Sequence, residues 1–206
     1  MGFYERYVLP RFIRCACGTK PIMKQREKVV PNASGVVLEI GIGSGLNLPF
    51  YDTDRVDKLI GLDPSEESWQ LAARQAEHLD FEVEFIGLPG EQIPLESNSV
   101  DTVLVTYSLC TIPDPVAALE GMSRVLRPGG RLLFCEHGIA PDASVRKWQN
   151  RVNPLWSRLA GGCNLNRDIP QLLCDGGFTV SALQADYIPS TPRVAGYNYW
   201  GSALLE

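Results

Sequence analysis

The chain has 206 residues, which is enough for one domain with a sizeable hydrophobic core and hardly enough for two. Hydrophobic residues make up 45% of the sequence and charged residues 21%, which excludes a disordered chain, a collagen-like repeat and a coiled coil. The formal net charge of -5 gives no reason to expect a nucleic-acid partner.

The N-terminal segment differs in charge from the rest of the chain. Residues 1–31 carry a net charge of +5 and the aromatic residues Phe3, Tyr4, Tyr7 and Phe12. We interpret residues 1–34 as a helical cap on the same domain, whose main part is residues 35–206. We expect the cap to act as a lid over a ligand site. Contact of residues 1–20 with a membrane surface is the alternative.

From residue 35 onward, short apolar runs alternate with helical patterns, which is typical of βα units in a parallel sheet. Strands are predicted over residues 36–40, 56–62, 81–86, 100–107, 131–137, 178–187 and 194–205. Helices are predicted over residues 65–78, 113–126, 144–160 and 167–174. The expected fold is therefore α/β, with a seven-stranded, mostly parallel sheet and helices on both faces.

Two sequence features bear on the location of the protein. The sequence shows neither a signal-peptide core nor an apolar run of about 18 residues, so no transmembrane segment is expected. The six cysteines show neither a C-x-x-C pair nor metal-ligand spacing. We therefore expect reduced thiols that serve packing, no metal site and a cytoplasmic protein.

A glycine-rich loop directly follows the first predicted strand, with glycines at Gly41, Gly43 and Gly45. Glycine allows a tight turn and lets the backbone approach a ligand closely. The spacing differs from the dinucleotide fingerprint, whose third glycine comes one residue later. A simple tight turn is the alternative interpretation.

Two carboxylates beside this loop indicate which ligand it binds. Glu39 lies two residues before the loop, where it would repel a pyrophosphate but suit an amino group. Asp63 ends the second strand, where it can bridge the hydroxyls of a ribose, although capping of the helix ahead of Ser65 is an alternative. An ammonium and a ribose in one ligand point to S-adenosylmethionine.

Three further motifs occur in the same order along the chain. Gly90 and Glu91 follow the third strand, Asp101 opens the fourth, and residues 125–130 precede the fifth. With the glycine loop, these motifs resemble the class I S-adenosylmethionine-dependent methyltransferases over residues 35–137. The resemblance implies a single Rossmann-like domain. The implied cofactor-binding residues are Glu39, Gly41, Gly43, Gly45, Asp63, Gly90, Glu91 and Thr106.

One motif departs from the family pattern. Many relatives have an Asp-Ala pair where this chain has Pro89 and Gly90, and the Asp side chain contacts the adenine. We expect Glu91 or a backbone group near Gly90 to replace that contact.

The remaining sequence bears on the methyl acceptor. Residues 24–27, 108–110, 135–137, 162–167 and 196–197 resemble the thiol S-methyltransferases of the methyltransferase-like family. This resemblance implies a small-molecule thiol as acceptor. Methyl transfer to the nitrogen or carbon of a lipid headgroup or quinone, and nonenzymatic binding of S-adenosylmethionine, are the alternatives.

Two residues are predicted to act on the acceptor. His137 ends the fifth strand, at the edge where doubly wound folds gather their active sites, and we predict that it is a base or stabilises a thiolate. A structural histidine bonded to the backbone is the alternative. Asn164 precedes a helix and is predicted to face the acceptor, with helix capping as the alternative. The other histidine, His78, is expected to be solvated.

Overall fold

The computed structural model describes residues 9–205, in which seven strands form one sheet. The strands are β1 (Gly35–Ile40), β2 (Val56–Leu62), β3 (Glu82–Ile86), β4 (Val100–Thr106), β5 (Leu126–His137), β6 (Phe178–Tyr187) and β7 (Tyr197–Leu205). Their order is β3-β2-β1-β4-β5-β7-β6, and β7 is antiparallel to both of its neighbours. This confirms the predicted mostly parallel α/β fold.

Eight helices are seen within residues 9–205. They are α1 (Leu9–Cys17), α2 (Lys20–Arg26), α3 (Glu66–Gln70), α4 (Ala73–Ala76), α5 (Pro115–Val125), α6 (Ala143–Leu159), α7 (Ile169–Asp175) and α8 (Arg193–Gly196), with 3-10 turns at Val30–Asn32 and Leu48–Phe50. In this part of the chain, no helix combines the length and the hydrophobicity needed to cross a membrane.

The predicted N-terminal cap contains helices α1 and α2 and the first 3-10 turn. Its first eight residues, with Phe3, Tyr4 and Tyr7 among them, lie outside the described residues. The division into a cap of residues 1–34 and a main part of residues 35–206 stays a prediction.

The helix predicted over residues 65–78 is wrong in detail, because two short helices occupy this segment. The backbone N–H groups of Leu71 and Ala72 bond carbonyls only three residues back, which interrupts the regular helical pattern. The side chain of Ala72 is thereby fully buried. The fifth strand also begins earlier than predicted, at Leu126, and the last one later, at Tyr197.

The core lies on both faces of the sheet because neighbouring residues of a strand point to opposite sides. Leu38, Val103 and Phe134 pack into one apolar cluster, while Val37, Leu104 and Leu133 pack into the other. Two consecutive residues of a strand therefore pack into different clusters, one on each face of the sheet. This explains the nearly continuous apolar runs of the central strands.

Gly45 is predicted to be a packing glycine, and Gly45→Ala tests this. Its backbone is left-handed, with φ of +72°, and a Cβ there would lie 2.6 Å from Cβ of Ala72 and 2.7 Å from Cδ1 of Leu48. We expect the substitution to lower the free energy of unfolding by about 2 to 4 kcal/mol, since strain and overpacking both act. Denaturant unfolding measures the change.

Gly87→Ala is the matched control. A Cβ at Gly87 would meet its nearest atom, Oε1 of Glu66, at an ordinary 3.5 Å. We expect a change within about 1 kcal/mol. An equal loss in both variants would contradict the packing role of Gly45.

Candidate functional site

A cavity of about 630 Å³ opens at the carboxyl ends of the four parallel strands β1 to β4. Its walls include residues 40–44, 62–65, 89–91 and 106–108, which follow these strands in turn. The chain crosses over between β1 and β4, so the cavity lies at the point where the strand order reverses, the usual ligand site of such sheets. Helix α1 and the end of α6 supply the opposite wall.

The glycine loop forms the part of the wall beside β1 and β2. Gly41 has φ of +75°, its N–H donates to the carbonyl of Leu62 at 2.7 Å, and a Cβ there would collide with Oγ of Ser108. Gly43 has φ of +49° and its N–H donates to Oδ2 of Asp63 at 3.0 Å. Both glycines line the cavity, whereas Gly45 is not among the described lining residues and packs against Ala72.

Asp63 lies in the cavity wall and also fixes the turn after β2. Its Oδ1 accepts the N–H of Ser65 at 2.8 Å, while its Oδ2 accepts that of Gly43. Burial raises the pKa of this carboxyl, and the two N–H donors oppose that rise. Asp63 is not the cap of α3, because Ser65 caps that helix by accepting the N–H of Ser68. Its contact with a ribose stays a prediction.

Three other predicted residues line the same cavity, namely Gly90, Glu91 and Thr106. A Cβ on Gly90 would lie 2.9 Å from Cδ1 of Ile112, so glycine keeps this wall thin. Oε1 of Glu91 accepts the N–H of Asp114 at 3.2 Å. Six of the eight residues predicted for the cofactor thus lie around one cavity.

Glu39 lies outside the described cavity wall, and its predicted contact with the cofactor stays a prediction. Its side chain is buried and is not among the described residues that line the cavity. Oε1 accepts from Nδ2 of Asn47 at 2.9 Å, and Oε2 accepts from the hydroxyl of Tyr51 at 2.6 Å. Burial raises the pKa of Glu39, against the effect of these donors and of Arg26. Both carboxylate oxygens are therefore occupied beneath the cavity floor.

Arg26 is a cavity residue that the sequence analysis did not single out. Its side chain is only 5% exposed, and its Nη1 donates to Oδ1 of Asn47 at 2.8 Å and to Oγ1 of Thr106 at 2.6 Å. Its buried Nε has no hydrogen-bond partner among residues 9–205. An unsatisfied guanidinium N–H in a cavity wall is a donor for an anionic ligand group. The motif at residues 24–27 marked this segment without indicating that role.

Tyr107 follows β4 in a strained backbone conformation, with φ of +53°. Its hydroxyl donates to Oδ1 of Asn198 at 2.7 Å, and the guanidinium of Arg26 lies 4.9 Å from the ring centre. Tyr107 lines the cavity, and backbone strain of this kind is concentrated at functional sites.

His137 lies beyond Tyr107 and is not among the described lining residues. The two rings are 6.3 Å apart, and Nε2 of His137 lies 3.3 Å from Sγ of Cys163. Burial acts to lower the pKa of His137, but its contact with Cys163 and the nearby Glu136 outweigh that effect and raise it. The predicted role of His137 as a base stays a prediction.

Asn164 clamps a turn and is likewise not among the described lining residues. Its backbone N–H and its Nδ2 both donate to the carbonyl of Cys110, at 2.8 and 3.1 Å, and its Oδ1 accepts from Asn153. The alternative that it caps a helix is wrong, because Asp168 caps α7 by accepting the N–H of Gln171. Its contact with an acceptor stays a prediction.

The remaining candidates divide into exposed and buried groups. His78 is exposed, as expected. Cys135 is fully buried in the core, while Cys15 and Cys174 are exposed. Cys110 and Cys163 come together with His137, which the spacing of the cysteines along the sequence does not show.

Comparison with known proteins places this geometry in a family. A methyltransferase domain model matches residues 38–134. The human thiol S-methyltransferase TMT1B is 33% identical over 181 residues, covering 82% of this chain and 73% of the relative. A phosphatidylethanolamine N-methyltransferase of Cereibacter sphaeroides is 31% identical, covering 70% of this chain and 72% of the relative.

A solved structure shares the fold. A SAM-dependent methyltransferase of Leishmania major superposes with a TM-score of 0.71 at 16% identity, covering 98% of this chain and 80% of that protein. The cavity is lined by the carboxylate of Asp63, by Gly41 and Gly43, and by Arg26 with its unpartnered guanidinium N–H, and this donor set fits such a cofactor. The chain therefore belongs to the class I S-adenosylmethionine-dependent methyltransferases, as an enzyme with S-adenosylmethionine as its cofactor.

Proposed function

We propose that this enzyme transfers a methyl group to the sulfur of a small thiol. The observation that carries this proposal is the similarity to thiol S-methyltransferase TMT1B along 82% of the chain, which extends well beyond the cofactor-binding half. The distribution of charge in the cavity supports the same acceptor.

In this proposal, different cavity residues bind different parts of the cofactor. We assign the ribose hydroxyls to Asp63, the adenine to Glu91 and the backbone at Gly90, and the close approach of the backbone to Gly41 and Gly43. The free Nε–H of Arg26 suits the carboxylate of the methionine part. Thr106 acts by holding Arg26, and when bound the cofactor supplies a methyl group on a positively charged sulfur.

Two residues predicted for the cofactor act indirectly in this proposal. Glu39 holds Asn47, and Asn47 in turn holds Arg26. Gly45 shapes the loop from behind by allowing Ala72 to pack closely. Neither residue needs to touch the ligand.

The charges of the cavity are arranged by position. The acidic lining residues Asp63, Glu67 and Glu91 come from the ends of β2 and β3 or the start of α3, on the cofactor side. The basic lining residues are Arg14 on α1, Arg26 on α2 and Arg158 on α6. A positive field favours the thiolate over the thiol, and the thiolate is the nucleophile.

The other task of the chain is to orient the acceptor and to exclude water. Leu9 and Ile13 of α1 add apolar surface to the same wall as Arg14. An apolar wall with few polar groups aligns a small acceptor and shields the reacting atoms from water. Proximity and desolvation thus carry the proposed catalysis, while acceptor roles for His137 and Asn164 stay predictions.

A lipid amine is the second candidate acceptor. The similarity to the phosphatidylethanolamine N-methyltransferase favours it, and arginines also suit a headgroup phosphate. In that case a contact of residues 1–20 with a membrane would replace the lid. The absence of a nucleic-acid partner and a cytoplasmic location stay predictions.

Asp63→Ala is expected to weaken cofactor binding by about 1 to 3 kcal/mol, the value of a hydrogen bond to a charged group. Calorimetric titration with S-adenosylhomocysteine measures the change. Asp80→Ala, which removes an exposed carboxylate ahead of β3, is the control and should bind normally. Unchanged affinity in Asp63→Ala, with the thermal midpoint preserved, would contradict the ribose assignment.

The acceptor is tested with matched compounds, a thiol, an amine and an alcohol on the same alkyl and aryl skeletons. Release of S-adenosylhomocysteine should be at least about tenfold faster with the thiols, because the thiolate is the strongest nucleophile of the set. Vesicles containing phosphatidylethanolamine form a further arm. Faster turnover on the vesicles would favour the lipid amine, and cofactor binding without any turnover would favour a nonenzymatic role.

The double variant Arg14→Gln/Arg158→Gln should shift the pH profile of kcat/KM for an alkyl thiol. Loss of two positive charges makes the thiolate less favourable, so the rising limb should move up by about 0.3 to 0.7 pH unit, given the weak interactions of exposed charges. Arg151→Gln on α6 is the control, because Arg151 is not among the described lining residues. An unshifted profile would argue against a role of these arginines.

A further inference from the structure

Two thiols and one imidazole meet in a cluster beside the cavity, which we call the thiol cluster and define as Cys110, His137 and Cys163. Cys110 lies in the loop after β4, His137 ends β5, and Cys163 lies in the turn between α6 and α7. All three ligand atoms lie within 4.8 Å of one another. Three separate segments of the chain thus deliver one soft donor atom each to the same point.

Two of the three distances in the thiol cluster match those of a tetrahedral metal site, and the third, between Cys110 and His137, is within 4.8 Å. Two sulfurs bonded to zinc at about 2.3 Å lie about 3.8 Å apart, and a sulfur and an imidazole nitrogen about 3.5 Å apart. Sγ of Cys110 and Sγ of Cys163 are 3.8 Å apart, and Sγ of Cys163 lies 3.3 Å from Nε2 of His137. Two sulfurs and one imidazole are the donors that zinc prefers.

The backbone around the thiol cluster holds these positions independently of a metal. The two bonds from Asn164 to the carbonyl of Cys110 tie the Cys163 turn to the loop after β4. The guanidinium of Arg167 donates to the carbonyl of Leu109 from the other side. A site of this kind is preorganised, so little conformational entropy is lost on binding.

The groups around the thiol cluster include one donor to a sulfur and two ionisable side chains of opposite charge. Nε1 of Trp156 donates to Sγ of Cys163 at 3.3 Å, the type of outer hydrogen bond that stabilises a thiolate ligand. Beyond the cluster, the opposite charges of Glu136 and Arg167 would balance each other. Two thiolates with one divalent ion would leave this buried region neutral. Cys163 is half-buried, which gives an ion access from one side.

We propose that Cys110, His137 and Cys163 bind one Zn²⁺ ion, with the fourth coordination position open to water or another small ligand. Three protein ligands and one exchangeable position are typical of catalytic zinc sites. The proposal holds whichever acceptor the enzyme uses. It is incompatible with His137 acting as a base, since a metal on Nε2 occupies the lone pair that a base needs.

The direct test is metal binding by the full-length, reduced protein after treatment with a chelator. Zn²⁺ is titrated in competition with a chromophoric chelator. We expect one ion per chain with a Kd of about 1 µM or tighter. Co²⁺ in the same site should give the intense visible bands of a tetrahedral ion and a thiolate-to-cobalt charge-transfer band in the near ultraviolet.

Matched cysteine variants locate the ion. Cys163→Ser should weaken Zn²⁺ binding at least about 100-fold and reduce the charge-transfer band, because it removes one of two thiolates. Cys174→Ser and Cys15→Ser, which change exposed thiols, should bind as the unmodified protein does. Thermal unfolding of each metal-free variant separates loss of the ligand from loss of the fold.

Three outcomes would overturn the proposal. The first is an unmodified protein that binds no Zn²⁺ at micromolar concentrations. The second is a folded Cys163→Ser variant with undiminished affinity, and the third is loss of binding in Cys15→Ser, which would place the ion at the N-terminal thiols. Any of these would leave the thiol cluster as a set of hydrogen bonds between thiols and imidazole.

Discussion

The buried carboxylate of Glu39 is the constraint on which the cavity depends. A charged group that is 1% exposed needs partners, and its two oxygens receive hydrogen bonds from Asn47 and Tyr51. Asn47 in turn hydrogen-bonds Arg26 and Thr106. The hydrogen bonds that satisfy this one carboxylate therefore connect residues from α2, β1, β4 and the segment after the glycine loop. The floor of the cavity is thus held together by hydrogen bonds between these segments.

This network also decides the polarity of the cavity floor. Arg26 neutralises Glu39 through Asn47, and it still has one N–H without a partner among the described residues. In the proposed function this spare donor would bind the carboxylate of the cofactor. The anion-binding position would then come from groups that mainly satisfy one another.

Much of the fold and of the cofactor side could be predicted because both depend on local patterns. Gly41, Gly43 and Asp63 follow strands that apolar runs identify, and the ends of parallel strands meet at one edge of the sheet. The burial of Glu39 outside the described cavity wall could not be predicted, because a position near a strand end does not tell which way a side chain points. Its partners, Asn47 and Tyr51, lie 8 and 12 residues further along the chain, and no sequence motif links them to Glu39.

Arg26 and the thiol cluster could not be predicted for a different reason. Arg26 lies outside the sheet, and its contact with Thr106 spans 80 residues, which no local pattern encodes. The meeting of Cys163 with His137 and Cys110 likewise depends on how the turn after α6 packs against β5. Spacing rules for metal ligands describe sites on one hairpin or helix, so they do not detect three ligands from three segments.

Tyr107 has a consequence for how the two sites communicate. Tyr107, with its strained backbone, lines the cavity and also stacks near His137. It therefore forms a shared boundary between the cavity and the thiol cluster. Thermodynamic linkage requires that any influence across such a boundary be mutual. If a ligand in the cavity alters the affinity of the cluster for an ion, the ion must alter the affinity of the cavity by the same factor.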